Sequence, residues 1–172
     1  STLLASSAAS DVYKRQLDNW CVNYPGGNIT PSVANRLMTV HLPYVKRADY
    51  SSAKVSSGSN GLSRKCFLLS AVEMGVYTWQ GIDGLMAQEG AKLDYFDYTT
   101  AATDKRKADT EYWTRSKRTH NGNYMYAFYA DGSFCNAGYR EDSHGLRPCI
   151  VLPLNTLVTT VTFLWASSNY IN

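Results

Sequence analysis

Asp142, Ser143 and His144 stand side by side, and a carboxylate, a hydroxyl and an imidazole are the ingredients of nucleophilic hydrolysis. Adjacent residues on an extended chain point to opposite faces, so these three cannot form the nucleophile–base–orienter relay directly. The remaining histidines, His41 and His120, lie far apart and lack metal-ligand spacing. Cys21, Cys66, Cys135 and Cys149 are scattered with no CxxC pair, which argues against a zinc ribbon or a redox motif. Cys66 and Cys149 sit inside the apolar runs CFLLS and CIVL, where a buried free thiol is expected. No nucleophile elbow and no Gly-rich phosphate loop is present; Gly58-Ser59-Asn60-Gly61 reads as a loop. The expectation is a chain without catalytic residues, metal or cofactor.

The residue types suited to contact are concentrated between two motifs, YWTRS at 112–116 and GLRPCIVL at 145–152. Between them runs a Tyr- and Asn-rich stretch centred on Asp131-Gly132, and its aromatic flanks make a strong β-hairpin signal. Tyr, Asn, Ser and Gly also build adaptable binding surfaces, because a Tyr ring offers much contact area for little rotamer entropy. Asn121, Asn123, Tyr124, Tyr126, Asn136, Tyr139, Arg140, Asp142 and His144 are therefore expected on one exposed, ligand-binding face. About half the hairpin must face inward, and Phe128 and Phe134 are the candidates. Trp113, Arg115, Gly145 and Arg147 read instead as scaffold. Trp113 is expected to be a buried anchor, Gly145 to let the backbone turn, and Arg147 to tie loop carbonyls or a carboxylate with its five donors.

Positioning that stretch requires the rest of the chain. Leu17 to Val22 reads as the end of a helix with Trp20 as anchor, broken at Pro25-Gly26-Gly27. Thr30-Pro31 looks like an N-cap and first helical residue, followed by a stripe of Val33, Leu37 and Met38. Residues 39–42 turn extended, 51–63 form a polar Ser/Gly-rich loop, and 70–77 make a short helix or turn closing at Gly75. Residues 80–93 read as irregular and 94–110 as polar. The hairpin 123–139 and a strand at 149–152 should share one small, mostly antiparallel sheet packed near the helix after Pro31. The fold class expected is α+β, with two helices and long loops.

Length and charge set outer bounds. At 172 residues one domain with a proper core is expected, and 44% apolar with 18% charged residues is a globular composition. A net charge of +3 demands no nucleic-acid partner. The local excess of Lys105, Arg106, Lys107, Arg115, Lys117 and Arg118 over Asp104, Asp109 and Glu111 reads best as a solvated loop. No apolar run is long enough for a membrane span, so membrane insertion is not expected. Residues 1–16, STLLASSAASDVYKRQ, resemble a translated sequencing-adapter scar of the kind found in assembled metagenomic reads, and are expected to add nothing to the core. The domain proper then covers 17–156, and 157–172 is a tail of obscure role.

Taken in order, LDNWC, VHLPYV, GLSRKCFLLSAVEMG, GAKLDYF, EYWTRS, YAFYADGSF and GLRPCIVLP resemble an uncharacterised domain of bacterial surface and phage tail proteins. That domain is similar to the C-type-lectin-like fold, in the branch of formylglycine-generating enzymes and of the variable proteins of diversity-generating retroelements. The resemblance implies a non-catalytic ligand- or receptor-binding module, at a virion surface or at the extracellular surface of a bacterium. Its implied partner is a protein or glycan on a target cell, bound through residues 117–144. In the variable proteins this late segment is diversified by adenine mutation, and its Asn, Tyr, Asp, Ser and His content here fits. A Tyr-rich hairpin is equally a stable hairpin, so both readings stand. The calcium-dependent lectin tripeptides Glu-Pro-Asn, Gln-Pro-Asp and Trp-Asn-Asp are absent, which gives calcium-dependent sugar binding no support. The alternative implied by the same resemblance is a formylglycine-generating enzyme or its inactive remnant, whose redox cysteine pair does not map onto these cysteines.

Overall fold

Pro31 fixes the backbone for a helical start, and Thr30 before it is extended, so a single turn, α1 (Pro31–Ala34), forms there. The computed structural model describes residues 17, 29–45, 55–76, 84, 86–96, 102–117, 124–139 and 144–156, with the side chains of 102 and 136–139 left aside. The expectations for 1–16, Trp20, residues 157–172, Asn121, Asn123, Arg140 and Asp142 fall outside these residues. The helical stripe expected after Pro31 does not extend: α1 buries none of its residues, Leu37 is buried beyond it, and Met38 is exposed. The chain is already turning extended there, so a 3.6-residue period has no helix to run on.

The strands are short and antiparallel. They are β1 (Val40–Leu42), β2 (Tyr44–Val45), β3 (Val55–Ser56), β4 (Leu62–Arg64), β5 (Cys66–Leu68), β6 (Tyr112–Lys117), β7 (Tyr124–Phe128), β8 (Phe134–Tyr139) and β9 (Pro148–Ile150). β1 pairs with β4, β2 with β3 and β5 with β9, while β6, β7 and β8 form a three-stranded sheet with β7 central. The class is α+β. The segment expected to be a featureless Ser/Gly loop contains β3 and most of β4, anchored by buried Leu62.

The expectation of one sheet is corrected here. β9 does not join the hairpin; Cys149 stands opposite Phe67 and Ile150 opposite Cys66. The apolar run CFL offers β9 a matching partner, and β6 fills the hairpin's free edge. The two sheets still touch, since Arg115 N–H donates to Leu69 O at 3.0 Å and Gly145 forms a parallel bridge with Tyr112.

The second helix, α2 (Ala102–Arg106), arises in a segment read as a solvated loop. Its last residue, Arg106, is buried rather than solvated. It donates to Gly132 O and Met74 O, each at 3.0 Å, and lies over the Phe128 ring at 5.0 Å. Three carbonyl and hydroxyl partners and an aromatic face receive it, and desolvation by burial lowers its guanidinium pKa. The main core gathers Met74, Val76, Met86, Phe96, Tyr112, Tyr126 and Phe128, with Phe134 packed against it. A smaller cluster joins Leu17 and Cys66 to Ile29, Leu68 and Ile150.

Two further expectations change. Cys66 is disulfide-bonded rather than a free thiol, whereas Cys135 and Cys149 are free. Burial and an apolar sequence context favour both states alike, so neither could be read from the run CFLLS. Trp113 is half-buried, and its neighbour Tyr112 is the anchor inside the core. Alternation along β6 sends Tyr112 and Trp113 to opposite faces, so only one of them can enter that core.

Candidate functional site

β6 buries three consecutive residues, Thr114, Arg115 and Ser116, so both faces of the strand are covered there. A bulge lies in the same stretch: Trp113 pairs with Ala127 and Lys117 with Met125, so β6 spends more residues than β7 over the same span. Arg115 lies inside the protein, where Glu73 receives it. One bond runs from Nη1 to Glu73 Oε2, and Nη2 donates to Glu73 Oε1 at 2.7 Å. The same guanidinium donates to Leu68 O and Pro43 O at 3.2 and 3.4 Å, and to Glu89 O. Glu73 completes a capping box, since Ser70 N–H donates to Oε2 at 2.9 Å and Glu73 N–H donates to Ser70 Oγ at 3.1 Å. Ser116 Oγ accepts from Ala71 N–H at 2.9 Å, and Glu89 Oε1 accepts from Val45 N–H at 2.9 Å. The motifs LLSAVEMG, QEG and WTRS thus meet in one buried polar hub. All five guanidinium donors of Arg115 are bonded to acceptors within the protein.

The residues expected to form a contact face are distributed differently. Tyr126 is fully buried in the main core with Phe128, its neighbour at i+2. A regular strand places residues two apart on one face, so Tyr126 must follow Phe128 inward. Tyr124, at the strand's end, is half-buried, and the side chains of Asn136 and Tyr139 lie outside the described residues. His144 stacks on Trp113, ring centroids 4.1 Å apart and 10° from parallel, with Nε2 3.3 Å from Glu111 Oε2.

The two ends of the hairpin sheet differ. At the turn, Ser133 N–H and Oγ–H both donate to Asp131 Oδ1, Arg106 of α2 donates to Gly132 O, and Ala108 N–H just after the helix donates to Ala130 O. Gly132 has φ +83°, and a Cβ there would lie 2.1 Å from Thr103 O. At the other end Lys117 stands beside Met125, and Tyr124 is paired with Tyr139. Lys117, Tyr124 and Tyr139 thus share this end of the sheet.

A cleft of about 270 Å³ opens where the two main sheets meet, and no pattern in the sequence announces it. Leu69, Met74 and Phe96 line it with apolar surface, Tyr112 and Trp113 come from β6, and Leu93 and Tyr95 come from the turn Asp94–Phe96 and its entry. Arg147 and Cys149 complete it. Arg147 Nη1 donates to Lys105 O and Tyr112 Oη, each at 3.2 Å, and its guanidinium lies 5.5 Å from the Tyr112 ring centre. Burial pushes the Tyr112 phenol above its ordinary pKa, against the opposing pull of Arg147. Burial also pushes the Cys149 thiol up, which keeps it protonated and a poor nucleophile. Gly145 is needed for close approach rather than for a turn: a Cβ would meet Thr110 Cγ2 at 2.8 Å. Among the described residues no group of three or more His, Cys, Asp or Glu is placed to hold a metal.

The motifs that build hub, hairpin and cleft are those of one family. A family model for DUF6273, a domain of unknown function, matches residues 11–154. The chain belongs to the DUF6273 family. No curated protein and no solved structure matches it. The DUF6273 match spans every element from α1 to β9, so Arg115, Glu73 and the cleft all lie within the family's own domain. Among its described residues no helix is long and apolar enough to cross a membrane.

Proposed function

We propose that this DUF6273 domain is a non-catalytic binding module with a C-type-lectin-like fold, carried by a phage tail or bacterial surface protein. Its recognition surface is the end of the hairpin sheet that carries Lys117, Tyr124 and Tyr139, with His144 at its border. The observation that carries this reading is the placement of Lys117, Tyr124 and Tyr139 at one end of a sheet whose opposite end is locked to α2. Loops raised on a rigid scaffold are where binding residues concentrate. Asn121, Asn123, Arg140 and Asp142 are close in sequence to Lys117, Tyr124 and Tyr139, whereas Tyr126 is withdrawn from the proposed surface because it belongs to the core. The partner class is a protein or glycan on a target cell, and diversification by a retroelement would act within residues 117–144.

The formylglycine-generating alternative draws no support from the described cysteines. The free thiols Cys135 and Cys149 lie on strands of different sheets, and burial holds Cys149 protonated.

The test is binding of the purified chain to a glycan array and to intact bacterial cells, followed by replacement of Asn121, Arg140 and Asp142 together by Ala. Loss of at least about 2 kcal/mol in affinity with unchanged circular dichroism supports the reading. Unchanged affinity for an identified partner overturns it. Comparison of sequences from the same genomic locus gives a second check, since even variation along the chain would remove the diversification.

A further inference from the structure

We infer that the cleft between the hairpin sheet and β9 is a second binding site, for a small planar apolar molecule that carries one anionic group. The inference stands on the cleft alone and does not depend on the recognition surface proposed above. Leu69, Met74 and Phe96 give the cleft an apolar lining, and its volume of about 270 Å³ suits a fragment rather than a larger ligand. Pockets for drug-sized molecules run from about 300 to 1,000 Å³.

Two side chains from the 93–96 segment are left displayed. Leu93 is 41% and Tyr95 57% exposed, although both line the cleft and neighbour the buried Phe96. A planar apolar ligand would cover them and lie between Tyr95 and the half-buried Trp113.

Arg147 specifies the charge. Among the described residues its hydrogen bonds to Lys105 O and Tyr112 Oη both leave from Nη1. The Nε and Nη2 edge keeps its donors, and that edge is the one that grips a carboxylate with two parallel bonds. Its position is fixed by Nη1 and by the Tyr112 ring, so little further ordering is required when an anion arrives. Lys105 reinforces the preference, with Nζ 4.6 Å from the Tyr95 ring centre. A neutral sugar fits less well, because the lining is mostly carbon.

The experiment uses the full chain and two probes of the same shape, 2-naphthoate and the neutral 2-naphthylmethanol, measured by equilibrium dialysis. We expect naphthoate to bind about tenfold more tightly than the alcohol. Tyr95→Ala, at an exposed ring, should weaken naphthoate about fivefold without altering the thermal midpoint. Arg147→Met should bring the two probes to equal affinity; if that variant fails to fold, the comparison of probes on the unaltered chain and on Tyr95→Ala still decides. Absence of naphthoate binding, as would follow if another part of the chain fills the cleft, overturns the inference. Equal affinity for both probes, or an unaltered affinity in Tyr95→Ala, overturns it as well.

Discussion

Arg115 and Glu73, 42 residues apart in the chain, face each other through two parallel N–H···O bonds in the protein interior. Neither charge could be buried alone, because the desolvation cost of a lone ion in a protein is several kcal/mol. Each is also bonded to backbone: Glu73 to the amide of Ser70, Arg115 to the carbonyls of Leu68 and Glu89. The pair therefore fixes the relative position of the turn after β5, the Glu89 turn and β6.

Arg115→Ala should accordingly cost about 3–5 kcal/mol, since it strands the Glu73 carboxylate. Glu73→Gln should cost less, because an amide can still accept from Arg115 and Ser70. The double variant Arg115→Met/Glu73→Leu should recover only part of the loss, as the carbonyls of Leu68 and Glu89 lose their donor. Urea denaturation reads all three. Single variants with near-native midpoints would show that the pair does not hold the fold.

Gly132→Ala should be destabilising by more than about 1 kcal/mol. The backbone at Gly132 is left-handed, and the added Cβ would collide with Thr103 O on α2, a backbone atom that cannot swing aside. Gly84→Ala is the matched control, with nothing within 4 Å of its Cβ, and should stay within about 0.5 kcal/mol of the parent. Equal thermal midpoints for the two variants would mean that the hairpin turn is not docked on α2.

The hairpin was legible because aromatic residues flank Asp131-Gly132, but its register was not: Ala130, Asp131 and Gly132 form a three-residue loop that sets Phe128 opposite Phe134, where a two-residue Asp-Gly turn would set it opposite Cys135. The inward assignment of Phe128 and Phe134 also follows from pattern. The same alternation, applied two residues back, assigns Tyr126 to the core, and composition alone misplaces it. What sequence could not supply is non-local. Arg106 looks like one cation among six until the carbonyls of Met74 and Gly132 surround it. Glu73 reads as a capping-box residue until the fold brings Arg115, 42 residues on, against it. The cleft draws its walls from four separated segments, so no window of sequence contains it.

Cysteine chemistry offers a third check. The chain has four cysteines, of which Cys135 and Cys149 are free and Cys66 is disulfide-bonded; Cys21 lies outside the described residues. Thiol titration of the unreduced, denatured chain should find Cys135 and Cys149 alone, and prior reduction should expose all four. Reduction should also lower the thermal midpoint, because a native disulfide is typically worth about 2–4 kcal/mol. Finding every cysteine reactive in the unreduced chain would exclude the bond.

Tyr112 gives a stability profile at alkaline pH with a definite sign. Its ring is buried, its hydroxyl donates to Arg106 O at 2.6 Å, and burial raises its pKa above the ordinary tyrosine value near 10. The unfolded chain then ionises first as pH rises, so the unfolded state gains and the folded state does not. This contribution is complete below about pH 10 and is lost as pH climbs from there toward the folded value. Tyr112→Phe should cost about 0.5–1.5 kcal/mol near neutrality, from the hydrogen bond to Arg106 O. As pH rises above about 10, the variant should lose less stability than the parent. Lysines and other tyrosines titrate in both proteins, so the measured quantity is the difference between the two curves of unfolding free energy. Curves that stay parallel through this range would show that the phenol is not held neutral by the fold.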